Sequence, residues 1–249
     1  MVGEGIKLGL IGLGTVGSGV VQLLDQHQET FTHKIGGPLR LIHVASRSIA
    51  RKSHAPLPGV RLSSDPWAVV NDPDVDVMIE LIGGIDPARP LVLEAMAQGK
   101  AVVTANKALL AVHADAIFSA AEAHGVRLGF EASVAGGIPI IRTLREGFAA
   151  DRNKALFGIV NGTCNYILSV MRESGREFSE LLSEAQALGY AEADPSFDVD
   201  GIDAAHKLAI LTSLAMGSEV DFDGIHIEGI RHVSSQDIAF ADELGFRIK

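Results

Sequence analysis

Residues 6–17 read IKLGLIGLGTVG: a short apolar run that meets G-x-G-x-x-G without a spacer. Val20, Val21, Leu23 and Leu24 follow with helical periodicity. Strand, glycine turn and helix in that order form the context in which this pattern cradles a dinucleotide. Gly12 permits the tight turn, Gly14 lets the backbone approach a pyrophosphate, and Gly17 lets the helix sit close to the strand. With Leu13, Thr15 and Val16 between them, they are the candidate cofactor-binding turn. The helix N-terminus adds N–H groups and the positive end of its dipole. A plain βα turn is the competing reading.

Working outward, residues 39–45 (LRLIHVA) form a second strand that ends in Ser46-Arg47-Ser48, with Lys52 shortly after. An NAD-selective site places an acid near this strand end to take the ribose 2′-hydroxyl. A cation such as Arg47 suits a 2′-phosphate, so NADP is the expected cofactor, with NAD possible. Residues 49–75 read as connecting structure with one helix around 66–70. Residues 75–82 (VDVMIELI) alternate and then run apolar, as a buried parallel strand does. Gly83 at its end again lets backbone come near a ligand. A helix over 90–98 closed by Gly99, and a strand over 101–104, continue the alternation. The fold class that follows is α/β, a Rossmann-type doubly wound parallel sheet.

Lys107 stands in the first turn of the next helix, where the macrodipole disfavours a cation and where such sheets bind ligands. Both points favour a functional lysine over a surface one. After a strand over 126–130, the segment EASVAGGIP at 131–139 breaks the pattern and marks a boundary. The expected domains are therefore 1–131, dinucleotide-binding, and 132–249, an α+β substrate and dimerisation domain. Glu131 together with turn carbonyls can hold a hard cation, although the bare pattern is a weak signal.

Residues 155–160 (ALFGIV) open the second unit. Asn161-Gly162-Thr163 then turns into a helix whose amides suit a carboxylate, against the alternative of an ordinary turn. Cys164 reads as a packed small residue, not a nucleophile. Residues 189–207, GYAEADPSFDVDGIDAAHK, gather Glu192, Asp194, Asp198, Asp200 and Asp203 before a lysine. On a helix over 201–216, Asp203 and Lys207 lie one turn apart beside apolar residues, so they belong to a buried helix and not a solvated face. An i,i+4 ion pair at a helix start is the plainer reading. Crowded carboxylates favour a site with a compensating partner. His206 reads as solvent-facing. A helix over 235–244 and the start of a strand over 246–249 complete the chain.

With 249 residues, 47% of them hydrophobic, the chain can bury a sizeable core. The formal net charge of −10 argues against nucleic acid or an anionic membrane as partner. One cysteine excludes an internal disulfide, and no apolar run reaches membrane-spanning length. A soluble cytoplasmic protein is the expectation. The nine histidines show no metal-ligand spacing.

GLGTVG, VTANKALL, EASVAGGIPII, GIVNGTCNYIL and LGYAEADPSFDVDGIDAAHKLAIL, in this order, closely resemble homoserine dehydrogenase over nearly the whole chain. The resemblance implies NAD(P)-dependent interconversion of L-homoserine and L-aspartate 4-semialdehyde, a step toward threonine, methionine and isoleucine. It implies that Lys207 gives the carbonyl its proton, with Lys107 the second lysine near nicotinamide and substrate. Glu192 and Asp203 match substrate-binding acids, Asp198 a supporting acid, and Gly189 a backbone contact to the cofactor; Thr163 joins the substrate-binding set. Glu131, Val134, Gly136 and Ile138 match positions that hold a monovalent cation, usually sodium. A homodimer is implied as well. Family members continue with further strands of the dimerising sheet, so the chain reads as a C-terminally short form without ACT or aspartokinase domain. Two other readings stay open: a non-catalytic NADP-binding remnant, and a two-domain NADP oxidoreductase acting on a sugar or polyol.

Overall fold

The computed structural model describes residues 5–47 and 58–249; Ser48 and Lys52 lie outside the described residues. Contacts divide the chain into two units, Met1–Gly147 and Phe148–Lys249.

The first unit alternates strands and helices. Its strands are β1 (Ile6–Ile11), β2 (Leu39–Ala45), β3 (Arg61–Ser63), β4 (Val77–Glu80), β5 (Ala101–Thr104) and β6 (Leu128–Gly129). Its helices are α1 (Thr15–Gln26), α2 (Gln28–Ile35), α3 (Trp67–Val70), α4 (Ala88–Ala97), α5 (Lys107–Ala123) and α6 (Ile140–Arg142). The sheet order is β3-β2-β1-β4-β5-β6, and every pairing is parallel. This is the doubly wound order, with its reversal between β1 and β4.

The apolar runs behave as fully covered strands should: Leu8, Leu10 and Ile11 of β1, Val44 of β2 and Met78 of β4 are buried. Helix α4 buries Ala88, Leu91, Val92, Ala95 and Met96, the i, i+3, i+4, i+7, i+8 stripe of a helix lying on a sheet. Complete burial of Leu91 or Met96 contributes about 2 kcal/mol relative to exposure. At the sheet edge Asp72 joins His43 of β2 (2.7 Å) to Arg61 of β3 (2.6 Å) and fastens this three-residue pairing.

Two strands are shorter than their apolar runs. Residues 72–75 make a turn before β4, with Val75 N donating to Asp72 O at 3.2 Å. After β4 the Glu80 carboxylate takes the amides of Ile82 and Gly83, so the chain leaves the ladder there. Before β6, Val126 N is spent on closing α5 through Ala121 O at 3.0 Å.

The second unit holds α7 (Gly162–Ser174), α8 (Phe178–Ala187), α9 (Ser196–Val199), α10 (Ile202–Met216) and α11 (Ser235–Glu243). Ile167, Leu168 and Met171 of α7 pack with Leu181 and Ala185 of α8, Val199, Ile230 and Ile238. The expected strand content is not found among the described residues of this unit. Residues 155–160 run without a ladder, and Phe157 is 92% exposed. Residues 246–249, expected to begin a strand, instead close α11 through Phe246 N to Ala241 O (2.8 Å) and bring Lys249 Nζ to Asn165 Oδ1 (2.8 Å). A strand exists only with a neighbour to take its amides and carbonyls, and these segments have none among the described residues.

By contacts the division falls at Gly147, past the domain boundary expected at residue 131. Residues 132–147 belong with the first unit because Glu131 Oε1 and Oε2 accept from Ile141 N (2.9 Å) and Arg142 N (3.0 Å), tying α6 back to the end of the sheet. Among the described residues, no helix is long and apolar enough to cross a membrane.

Candidate active site

In the first unit the glycine turn sits at the carboxyl ends of β1 and β4, where the strand order reverses. Gly12 adopts φ +103°, and a Cβ there would stand 2.6 Å from Leu81 O. A Cβ on Gly17 would stand 2.0 Å from Gly12 O, so the helix approaches the turn closer than any other residue allows. Gly14 differs: it is the N-cap of α1, at φ −78°, with open space where a Cβ would go. Gly12, Leu13 and Gly17 are buried, whereas Gly14, Thr15 and Val16 are exposed. The buried positions make the packing and the exposed ones make the mouth. No side chain caps α1 and no acid lies in its first turn, so its leading amides suit an anionic acceptor.

Around this mouth, Gly83 turns with φ +70° just past β4. Arg47 is exposed just past β2, whose end is held by Ser46 N on Ser63 O at 3.0 Å. Lys107 begins α5, capped by Asn106, whose Oδ1 accepts from Leu109 N at 3.1 Å. In the candidate cation loop Val134 is buried and Gly136 and Ile138 are exposed, with positive φ at Ala135 (+50°) and Gly137 (+88°). Among the described residues no group of three or more His, Cys, Asp or Glu could hold a metal, which leaves Glu131 and backbone carbonyls as the donors there.

In the second unit α10 carries Asp203 and Lys207 on one face, and Gly201 at φ +85° starts the helix sharply. Lys207 Nζ donates to Asp203 Oδ2 at 2.6 Å and to Val160 O at 2.7 Å. Their side chains are 18% and 5% exposed, so the i,i+4 pair is largely desolvated rather than a surface pair. Asn161 completes the arrangement. Its Nδ2 donates to Asp203 Oδ2 and to Asp198 Oδ1, both at 2.8 Å, while its Oδ1 caps α7 through Cys164 N. Thr163 Oγ1 lies 3.0 Å from Asp198 Oδ2 and 2.9 Å from Tyr190 O, two acceptors for one proton. Sequence reasoning credited the amides of this turn and missed the Asn161 side chain. Its available signal was an N-cap residue type directly before a helical run.

The acidic stretch is compensated as expected, by two cations. Lys207 serves Asp203, and Arg231 pairs with Asp200, holding its carboxyl below the ordinary range. Asp194 Oδ1 accepts from Ser196 N, the first residue of α9. Glu192 is exposed on the loop before α9, outside the network of Asn161, Asp198, Asp203 and Lys207. Gly189 turns the chain after α8 with φ +78°. A cavity of about 170 Å³ adjoins the network but touches only Asn161 and Asp198 of it. His206, expected to face solvent, is buried between the rings of Phe197 and Phe222, 5.3 and 4.7 Å between centroids. Those partners come from other segments, which neighbour-by-neighbour reading does not see.

Cys164 is a packed residue, as its sequence context suggests. Burial first, and then the charges of Asp198, Asp203 and Asp200, push its thiol up to about 11. Its stabilising contribution is therefore full below the ordinary thiol value of 9.0 and is lost as pH rises through about 11. Iodoacetamide should alkylate it at pH 8 about a hundredfold more slowly than an exposed cysteine. A rate matching a free thiol would contradict this burial.

Two family models cover the chain, one described as the NAD binding domain of homoserine dehydrogenase over residues 12–131 and one as homoserine dehydrogenase over 139–249. The homoserine dehydrogenase of Pseudomonas aeruginosa is 50% identical over 98% of this chain and 56% of its own length. A crystal structure of a homoserine dehydrogenase from Thiobacillus denitrificans matches with TM-score 0.94 and 50% identity, over 99% of this chain and 57% of that one. A hyperthermophilic archaeal homoserine dehydrogenase in complex with NADPH matches at TM-score 0.80 and 26% identity, over 93% of this chain and 76% of that one. The chain spans a little over half the length of the Pseudomonas protein. Two family models that together span most of the chain, and relatives at up to 50% identity over nearly all of it, point the same way: the chain belongs to the homoserine dehydrogenase family.

Proposed function

We propose that this chain carries the NADP-dependent interconversion of L-homoserine and L-aspartate 4-semialdehyde, in the biosynthesis of threonine, methionine and isoleucine. The observation that carries the reading is the Lys207 ammonium, seated on Asp203 and Val160 O with two of its three donors. The third donor would then serve a substrate oxygen. As the carbonyl is reduced, negative charge grows on its oxygen; the ammonium offsets it and then gives the proton. NADPH supplies the hydride when bound.

The uncapped amides of α1 and the turn from Gly12 through Gly17 would hold the pyrophosphate, with Gly83 and Gly189 as backbone contacts. Asp203 and Glu192 would take the substrate α-ammonium. Asp198 would hold Asn161 and Thr163 in place. Lys107 would face nicotinamide and substrate. Glu131 and the carbonyls of Val134, Gly136 and Ile138 form an all-oxygen donor set suited to sodium, and each Glu131 oxygen keeps a lone pair beyond its one amide. Dimerisation belongs to the same reading. Sodium titration of the rate and light scattering check these two parts.

The deciding experiment is NADPH oxidation with L-aspartate 4-semialdehyde. Steady turnover is expected; NADPH binding without turnover, or turnover only with a sugar, would sink the proposal. For cofactor choice, Arg47 is the cation past β2 that suits a 2′-phosphate. Arg47→Ala is expected to raise KM for NADPH about tenfold while leaving that for NADH nearly unchanged. An unchanged NADPH preference would remove Arg47 from the cofactor site.

A further inference from the structure

Glu80, the last residue of β4, is completely buried. Its hydrogen bonds come from neutral donors. Oε1 accepts from Ile82 N (2.9 Å) and Gly83 N (3.2 Å), and Oε2 accepts from Thr104 Oγ1 (2.6 Å). A buried carboxylate is costly to desolvate, and an apolar residue would serve a sheet core at lower cost. The bonds also run in one direction. An ionised carboxylate only accepts, so the Thr104 hydroxyl must donate to it. That leaves the hydroxyl oxygen to accept from Asn106 N, at 2.9 Å. Asn106 then reaches back, with Nδ2 donating to Gly84 O at 2.6 Å, while its Oδ1 caps α5. The loop 82–84 and the start of α5 are therefore tied twice. One tie runs through Glu80 and Thr104 and the other through Asn106. The next residue in the chain is Lys107.

We propose that Glu80 is a positioning residue that holds the loop 82–84 and Lys107 in one fixed relation, so that cofactor affinity and turnover depend on the same buried relay. The inference rests on the dehydrogenase reading for what Lys107 does, and extends it to a residue no part of that reading uses.

Glu80→Gln removes the charged acceptor and reverses one bond of the relay: with its oxygen on the Ile82 and Gly83 amides, its NH₂ donates to Thr104 Oγ1 and turns the hydroxyl's own proton out of the relay. Thr104→Val removes the hydroxyl at near-constant shape, and Thr104→Ser keeps it. NADPH affinity is read by fluorescence titration, and kcat per NADPH-binding site by semialdehyde reduction. E80Q and T104V are expected to weaken NADPH binding about tenfold and to lower kcat about tenfold, with T104S within about twofold of wild type. If E80Q fails to fold, the comparison of T104V with T104S decides alone. Unaltered affinity and turnover in T104V with only a lower Tm, or equal losses in T104V and T104S, would overturn the proposal. Should the wild type bind NADPH yet turn over no semialdehyde, the dehydrogenase reading fails separately, and the affinity series still tests the relay.

Discussion

Lys207→Ala is expected to lower kcat about a thousandfold while leaving NADPH affinity as it is. A positioned general acid is worth about 10²–10⁴ in rate, and a preorganised donor facing a developing oxyanion about 10²–10³; under the proposed function one ammonium would supply both, and the two contributions overlap. The seat of that ammonium is short and dry, 2.6 Å from Asp203 and 2.7 Å from Val160 O. The same dryness brings a second consequence. Removing Lys207 takes the counter-charge from a nearly buried carboxylate, which costs about 3 kcal/mol of stability. Lys207→Arg separates the two effects. A guanidinium restores the charge pairing, and so Tm, but it holds its proton too tightly to serve as an acid. The expected pattern is a destabilised, slow alanine variant and a stable, slow arginine variant, both with native NADPH affinity. Turnover within tenfold of wild type in either would remove Lys207 from the proton-transfer role.

Among substitutions in the first unit, Gly17→Ala should be the most damaging single methyl. Its Cβ would lie 2.0 Å from Gly12 O, a backbone atom of the turn that cannot swing aside. Helix α1 would have to lift from β1, at a cost of about 3 kcal/mol, with NADPH binding lost alongside. Gly14→Ala is the matched control. It has φ −78°, which alanine adopts without strain, and open space at the Cβ position. It should therefore keep the wild-type Tm and weaken NADPH binding about tenfold, because the methyl occupies the mouth rather than the packing. Thermal melts and NADPH titrations of the pair give the result. A G17A protein that melts with wild type would mean that the helix does not depend on this close approach.

The tight turn at Gly12 and the close helix packing at Gly17 were readable in the pattern G-x-G-x-x-G, since its spacing assigns one glycine to each. The strand and helix alternation from β1 to α5 was readable for the same reason: apolar runs and their punctuation are local. Strand lengths were not, because Val126 N and the Glu80 carboxylate decide where the ladders end by bonding elsewhere. The apolar run at 155–160 and the residues at 246–249 suggested strands, but no neighbouring strand takes up their backbone groups among the described residues.

What the chain determined by itself is therefore whatever depends on near neighbours: the dinucleotide turn, the strand–helix alternation of a doubly wound sheet, and the one-turn spacing that makes Asp203 and Lys207 a pair. Tertiary structure alone decided that Asn161, 37 and 42 residues away, would bridge Asp198 and Asp203. It alone put His206 between two phenylalanine rings and buried Glu80 beneath the start of α5. Each of these is set by which distant groups are desolvated together, and a side chain's distant partners leave no period in the sequence.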